Sequence, residues 1–194
     1  MMQEFVKSVK DTARKATNDM HTAIPAVITA FDAGTGLASV QPKAKFKKPN
    51  GETMDYPAVS GVPVVFPQSK NVTIAFPIKE GDGCLLVFSE TALDFWQYGK
   101  ETSTELRFDL TNAIAIPSLS TAANAAMQEA CDEDAAVIVS GSTKLKVKGD
   151  GVYITGNLNV DGKIESTDDT VANGISVHDH IHGGDSGGET TPPR

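Results

Sequence analysis

Near the C-terminus, residues 178–188 read HDHIHGGDSGG. Two chemistries are written into it. GDSGG is the pentapeptide that surrounds the nucleophilic serine of chymotrypsin-like proteases, and HDHIH places three imidazoles at alternate positions. A serine nucleophile at Ser186 would need a histidine base and an aspartate orienter from elsewhere in the fold. The only histidine far from the stretch is His21, and only GGETTPPR follows Ser186, which leaves no chain to build a specificity pocket. The protease reading fails on these grounds, and GDSGG is expected to be a glycine-rich cap with a tight turn. No HExxH, GxSxG or GxxxxGK[ST] pattern occurs, so the chain is expected not to be an enzyme.

The histidines point to metal. In an extended strand, residues i and i+2 face the same side, roughly 6.5 to 7 Å apart. His180 and His182 therefore share a face, and His178 has the same parity. Two imidazoles from each of three chains meeting on an axis would supply six nitrogens. That shell suits iron or another six-coordinate transition ion better than zinc, which prefers a tetrahedron.

Such a site needs a framework to bring three chains together. Residues 3–20 carry Phe5, Val6, Val9, Ala13, Ala16 and Met20 at helical spacing and form an amphipathic helix, which with the residues up to 23 makes a docking segment. From Ile24 the period changes to two. IPAVITAFDAGTGLASVQPKAKF reads as two strands around Gly34–Gly36, VPVVFP and NVTIAFPI as two more, and EGDGCLLVFSE as a turn leading into a buried strand. LRFDLTNAIAIPSL closes the block, so residues 24–119 are expected to form an OB-like barrel. Lys43, Lys45, Lys47 and Lys48 suit the solvent face of a hairpin in that block.

Residues 120–136 are alanine-rich and acidic and read as a helical linker. From 137 to 177, short strands alternate between glycines, with Leu145 and Val147, Val152 and Ile154, and Leu158 and Val160 on their apolar sides. Ordering a residue costs ~1 to 2 kcal/mol of backbone entropy, which two inward side chains per strand hardly offset. Identical chains wound about one axis would complete the core. Val147, Ile154, Leu158 and Val160 are then expected to face the inter-chain core, and Lys144, Lys146 and Lys148 the solvent. Residues 178–194 would form the metal-binding tip and cap.

The fold class is thus mainly β: an N-terminal helix, an OB-fold barrel, and an intertwined homotrimeric triple-stranded β-helix, or a threefold β-prism, with a metal-bound tip; a monomeric β-solenoid is the competing arrangement, for which about 45 residues is short. A net charge of −8 argues against a nucleic-acid partner. Cys84 and Cys131 stand apart with no CxxC and imply neither a disulfide framework nor a zinc knuckle. The N-terminus lacks the apolar run of a secretion signal and no stretch reaches the ~18 apolar residues of a membrane span, so a soluble protein is expected.

TGNLNVDGKIESTDDTVANGISVHDHIHGGDSGGETTPP resembles the distal end of the central spike, or membrane-puncturing protein, of contractile-tailed bacteriophages, the baseplate assembly protein V group. PAVSGVPVVFPQSKNVTIAFPIKEGDGCLLVFSETALDFW is similar to that family's OB domain. The resemblance spans residues 24–194. It implies that His180 and His182 bind one iron ion per trimer, with a pair shifted to His178 and His180 as the alternative register. DSGGETTPP departs from the family in lacking a proline soon after the glycines. The resemblance further implies attachment to tail hub and baseplate proteins, a place in the virion at the distal tip of the tail baseplate, and piercing of the host outer membrane on sheath contraction. The alternative is a trimeric tail fibre or receptor-binding protein recognising surface glycans.

Overall fold

The computed structural model describes residues 2–18, 20–48, 50–99, 106–120, 122–184 and 186–191. The chain divides into two compact units, Met1–Ala123 and Asn124–Arg194. In the first, helix α1 (Met2–Asn18) precedes strands β1 (Ala23–Asp32), β2 (Leu37–Pro42), β3 (Lys45–Lys47), β4 (Thr53–Asp55), β5 (Val59–Pro63) and β6 (Gly83–Phe88). A short helix α2 (Asp94–Tyr98) and strand β7 (Ala113–Pro117) follow. In the second, helix α3 (Ala125–Glu133) precedes strands β8 (Ala136–Ser140), β9 (Thr143–Lys148) and β10 (Gly151–Thr155), and the hairpin strands β11 (Val171–Ala172) and β12 (Ile175–Ser176). Among the described residues no helix is long and apolar enough to cross a membrane.

Five strands of the first unit pair in the order β5-β2-β1-β6-β7. All four ladders are antiparallel. The sheet curls until its two edges approach: Val64, just beyond β5, makes a parallel bridge with Ala115 of β7, and the Val65 N–H donates to the Ala115 carbonyl at 2.9 Å. Alternation decides which side is dry. Ile24, Ala26 and Ile28 of β1, Ala38 and Val40 of β2, Cys84, Leu86 and Phe88 of β6, and Ala113 and Ala115 of β7 form one buried cluster with Val59 and Val62 of β5. Burial pushes the Cys84 thiol up, so this cysteine is a small apolar filler.

Gly83 opens β6 because nothing larger fits: a Cβ there would lie 1.8 Å from the Leu119 carbonyl oxygen. The long connection between β6 and β7 is tied down by Asn112, the buried polar residue of this unit. Its amide donates to the Leu106 carbonyl at 2.8 Å and its oxygen accepts the Leu93 N–H at 3.4 Å. The lysine-rich segment forms the β3–β4 hairpin, where Lys45 pairs with Asp55 and Lys48 with Glu52, both at 3.3 Å.

Two strand expectations change here: VPVVFP, residues 62–67, overlaps β5 only at Val62 and Pro63, and a second stretch forms no strand. NVTIAFPI, residues 71–78, alternates as a strand should, yet it joins no sheet. A bridge between Gln68 and Thr73 folds the segment back on residues 64–68 instead. Val72, Ile74 and Phe76 remain exposed along it.

In the second unit β10, β9 and β8 form a three-stranded antiparallel sheet. Its register sorts the side chains by face, because directly opposed residues in a ladder lie on the same side. One face carries Ala136, Ile138, Leu145, Val147, Val152 and Ile154. The other carries Val137, Val139, Lys144, Lys146, Lys148, Tyr153 and Thr155. The expectation that the three lysines face solvent is corrected. Glu129 and Glu133, one turn apart on α3, interleave with them: Lys144 pairs with Glu129, Lys146 with both Glu129 and Glu133 at 2.8 Å, and Lys148 with Glu133 at 3.2 Å. The acidic helix read as a linker is thus the cover of the lysine face.

The lysines hold both carboxyls below the usual glutamate range, chiefly through the hydrogen bonds of Lys144 and Lys146 to Glu129 and of Lys146 and Lys148 to Glu133. Lys146 is correspondingly raised by its two partners. A carboxyl with a lowered folded pKa contributes stability that is present above its unfolded value and lost as pH falls through the folded one. Acidification through and below the ordinary glutamate range is therefore expected to loosen α3. Thermal melts followed by circular dichroism as a function of pH check this, and the acid-side slope should shrink in Glu129→Gln/Glu133→Gln.

Candidate functional site

The histidine stretch is positioned from both sides by turns. Upstream, β11 and β12 pair Val171 with Ser176 and Ala172 with Ile175, leaving Asn173-Gly174 as a two-residue connection. Both have positive φ, 52° and 79°, the conformation that a type I′ hairpin demands and that Asn-Gly supplies. The chain then turns at Val177–Asp179. The Asp179 N–H donates to the Ser176 hydroxyl at 2.7 Å, and the His178 N–H to Asp169 at 3.1 Å.

This turn separates the three histidines. His178 lies in it, exposed, with Nε2 3.7 Å from the Asp179 carboxylate. His180 and His182 follow it, and their ring centroids are 5.1 Å apart with the planes near perpendicular, at 88°. Strand parity alone would have placed His178 on their side; the turn at Val177–Asp179 breaks the extended geometry on which parity depends.

His180 is the more sheltered of the pair. Its Nδ1 lies 3.0 Å from the Ser176 carbonyl and 3.1 Å from the Val177 carbonyl. A carbonyl oxygen only accepts, so Nδ1 carries the proton and donates, and the neutral ring keeps its lone pair on Nε2. That is the arrangement in which a histidine ligates a metal, with the other nitrogen fixed by a carbonyl. The donor set therefore fits a metal ion. Among the described residues no group of three or more His, Cys, Asp or Glu in one chain gathers to hold one. A full coordination shell would have to draw on several chains.

Downstream, the glycines fold the chain back. His182 exchanges two hydrogen bonds with Thr190: its N–H donates to the Thr190 hydroxyl at 2.8 Å, and its carbonyl accepts the Thr190 N–H at 2.9 Å. Gly183 bridges Glu189, and the Gly184 N–H donates to the Gly188 carbonyl. A Cβ on Gly184 would sit 2.9 Å from that carbonyl oxygen, so the backbone approach itself requires glycine. Ser186 thus lies within the turn that secures His182. Asp185 of the GDSGG stretch and residues 192–194 of the cap lie outside the described residues. His21, the one histidine remote from the stretch, packs its ring against Tyr56 at 5.5 Å and Phe88 at 5.6 Å.

A second feature escaped the sequence reading. On the first unit an open cleft of about 1040 Å³ is lined by Phe31, Phe66, Phe76, Trp96 and Tyr98 among other residues. The aromatics come from four separate stretches of chain. Only their recurrence in FPQ, AFPI and DFWQY hinted at a shared surface.

Gly184→Ala should force Gly188 away and open the fold-back without touching either imidazole. The expected outcome is roughly tenfold faster exchange of the Thr190 amide, the equivalent of ~1.4 kcal/mol, measured by hydrogen exchange.

Residues 24–118 match the family described as the phage protein Gp138 N-terminal domain. No curated protein matches the chain. The family match indicates a phage protein of the baseplate or spike type, with a structural role in the virion.

Proposed function

We propose that this chain is the homotrimeric central spike of a contractile phage tail, in which residues 24–119 form an OB-fold barrel, residues 137–177 a triple-stranded β-helical shaft and residues 178–194 an iron-bound tip. Non-enzymatic, it sits at the distal end of the baseplate and is driven through the host outer membrane when the sheath contracts. The observation that carries the proposal is the sheet of the second unit. One of its faces is occupied by α3 of the same chain. On the other, Ile138, Val147, Val152 and Ile154 are between 44% and 66% exposed. Fully burying such a side chain is worth roughly 1.5–3 kcal/mol, and further copies of the chain supply that burial.

The next stretch supports the same reading. Residues 157–170 are exposed and belong to no strand, although Leu158 and Val160 alternate as strand residues do. A stretch that joins no ladder within its own chain is what an intertwined helix of three chains uses, since each ladder there is completed by a neighbour.

At the tip, His180 and His182 of each chain offer Nε2 atoms to a shared ion. Iron bound by six imidazoles would have no open position for substrate, so its contribution is to join three chain ends. Tying down termini opposes the fraying to which chain ends are prone, and a piercing tip must resist fraying. The competing assignment, a trimeric tail fibre or receptor-binding protein that recognises surface glycans, would draw on exposed aromatics in the distal unit. The most exposed ones, Phe5, Phe95, Trp96 and Tyr98, belong to the first unit.

Elemental analysis tests the tip. The intact protein is expected to carry about one iron per three chains, His180→Ala and His182→Ala to carry none, and His178→Ala to retain it. Iron lost with His178→Ala and kept with His182→Ala would shift the ligand pair to the other register. Cell-wall lysis by the purified protein, abolished by a single carboxylate substitution, would contradict the non-enzymatic assignment.

A further inference from the structure

Helix α1 is exposed at every residue from Met2 to Thr17. At 17 residues it is near the length at which an isolated helix is only marginally stable in water, so packing of its apolar face would decide its persistence. That face has a definite spacing. Met2, Val6, Val9, Ala13 and Ala16 follow one another at intervals of four, three, four and three residues, the alternation of the core positions of a coiled coil. The positions that such a seam leaves outermost are polar throughout: Glu4, Lys7, Ser8, Asp11, Arg14 and Lys15.

From this we infer that α1 is a strand of a short parallel three-helix coiled coil formed with the α1 helices of two other copies. Parallel alignment follows if the copies are related by one threefold axis, and to that extent the inference rests on the homotrimer proposed above. The seam itself favours more than two strands: Val6 and Val9, at successive core positions, are both β-branched, and β-branched residues at both kinds of core position shift preference from dimers toward trimers and tetramers. Phe5, 70% exposed and adjacent to Val6, widens the apolar stripe on one side. With Ala13 and Ala16 as small core residues, two heptads are a weak association on their own. Chains already held together elsewhere supply the high local concentration that makes such a weak contact form.

The alignment of the barrel strands is compatible with this. β1 pairs antiparallel with β6, and β6 with β7, so β7 runs parallel to β1. The chain therefore enters the barrel at the end opposite to the one at which β7 leaves it. α1 is a separate point of association at the entry end.

Disulfide trapping in the full chain tests the inference. In a background with the exposed Cys131 replaced by serine, Val9→Cys places a thiol in the seam and Lys7→Cys places one on its outside. Mild oxidation should join Val9→Cys chains into covalent dimers, with no more than two of every three chains captured and no dependence on protein concentration, while Lys7→Cys chains stay unjoined. Val6→Cys, at the neighbouring core position, should reproduce Val9→Cys if that variant folds poorly. The mass of each unoxidised sample, measured by light scattering, separates the two levels of the argument. A trimer in which Val9→Cys and Val6→Cys crosslink no better than Lys7→Cys overturns the coiled coil and leaves the spike trimer standing. A monomer overturns both.

Discussion

A three-stranded sheet has two faces, and in residues 136–155 only one of them can be closed by the chain itself. Helix α3 reaches the lysine face, where three ammonium groups of β9 alternate with two carboxylates one helical turn apart. Among the described residues no counterpart lies on the other face, which is Ala, Ile, Leu and Val apart from Ser140 and Thr143 at one end. Both outer strands, β8 and β10, also end the sheet as open edges within the chain. An apolar face and two unpaired edges are what soluble proteins ordinarily avoid. The proposed homotrimer accounts for both features at once, since further copies of the chain would cover the face and pair the edges.

The first unit has solved the same problem internally. Its five strands curl until Val64 meets Ala115, so that the apolar side of every ladder faces one buried cluster. The tip depends on the second unit in turn. In the proposed trimer, two imidazoles per chain, one of them locked by backbone carbonyls into the tautomer that leaves Nε2 available, would form a metal shell together with those of the other chains. The hairpin at Asn173-Gly174 and the fold-back at Gly184 clamp the histidine pair on both sides, so a ligand geometry once assembled is held by backbone rather than by loose side chains.

Much of this was legible in the sequence. Period-two alternation located β1, β2, β6 and β7 because each buries one face in the same chain, and the glycine punctuation marked the short strands after residue 137. Three things were not legible, each because a long-range contact overrode a local pattern. The lysines of β9 alternate as solvent residues do, and nothing within the strand says that carboxylates of the preceding helix α3 will fold over them. NVTIAFPI has the right alternation but folds back through Thr73 onto Gln68 and so finds no place in the sheet. His178 has the parity of His180 and His182, yet parity holds only in extended chain, and Val177–Asp179 is a turn. The aromatic cleft was invisible for a related reason, since Phe31, Phe66, Phe76 and Trp96 are brought together only by the curl of the sheet and the loops around it.

The central claim is that the apolar face of the β8–β9–β10 sheet is an interface between copies. Sedimentation equilibrium of the full chain and of Ile154→Asp tests it most directly. The account predicts a species of three times the 20.4 kDa chain mass for the unaltered protein, and a substituted chain that dissociates or unfolds because like charges would meet in one buried layer. A stable, folded single chain at 20.4 kDa, unchanged by the substitution, would contradict it.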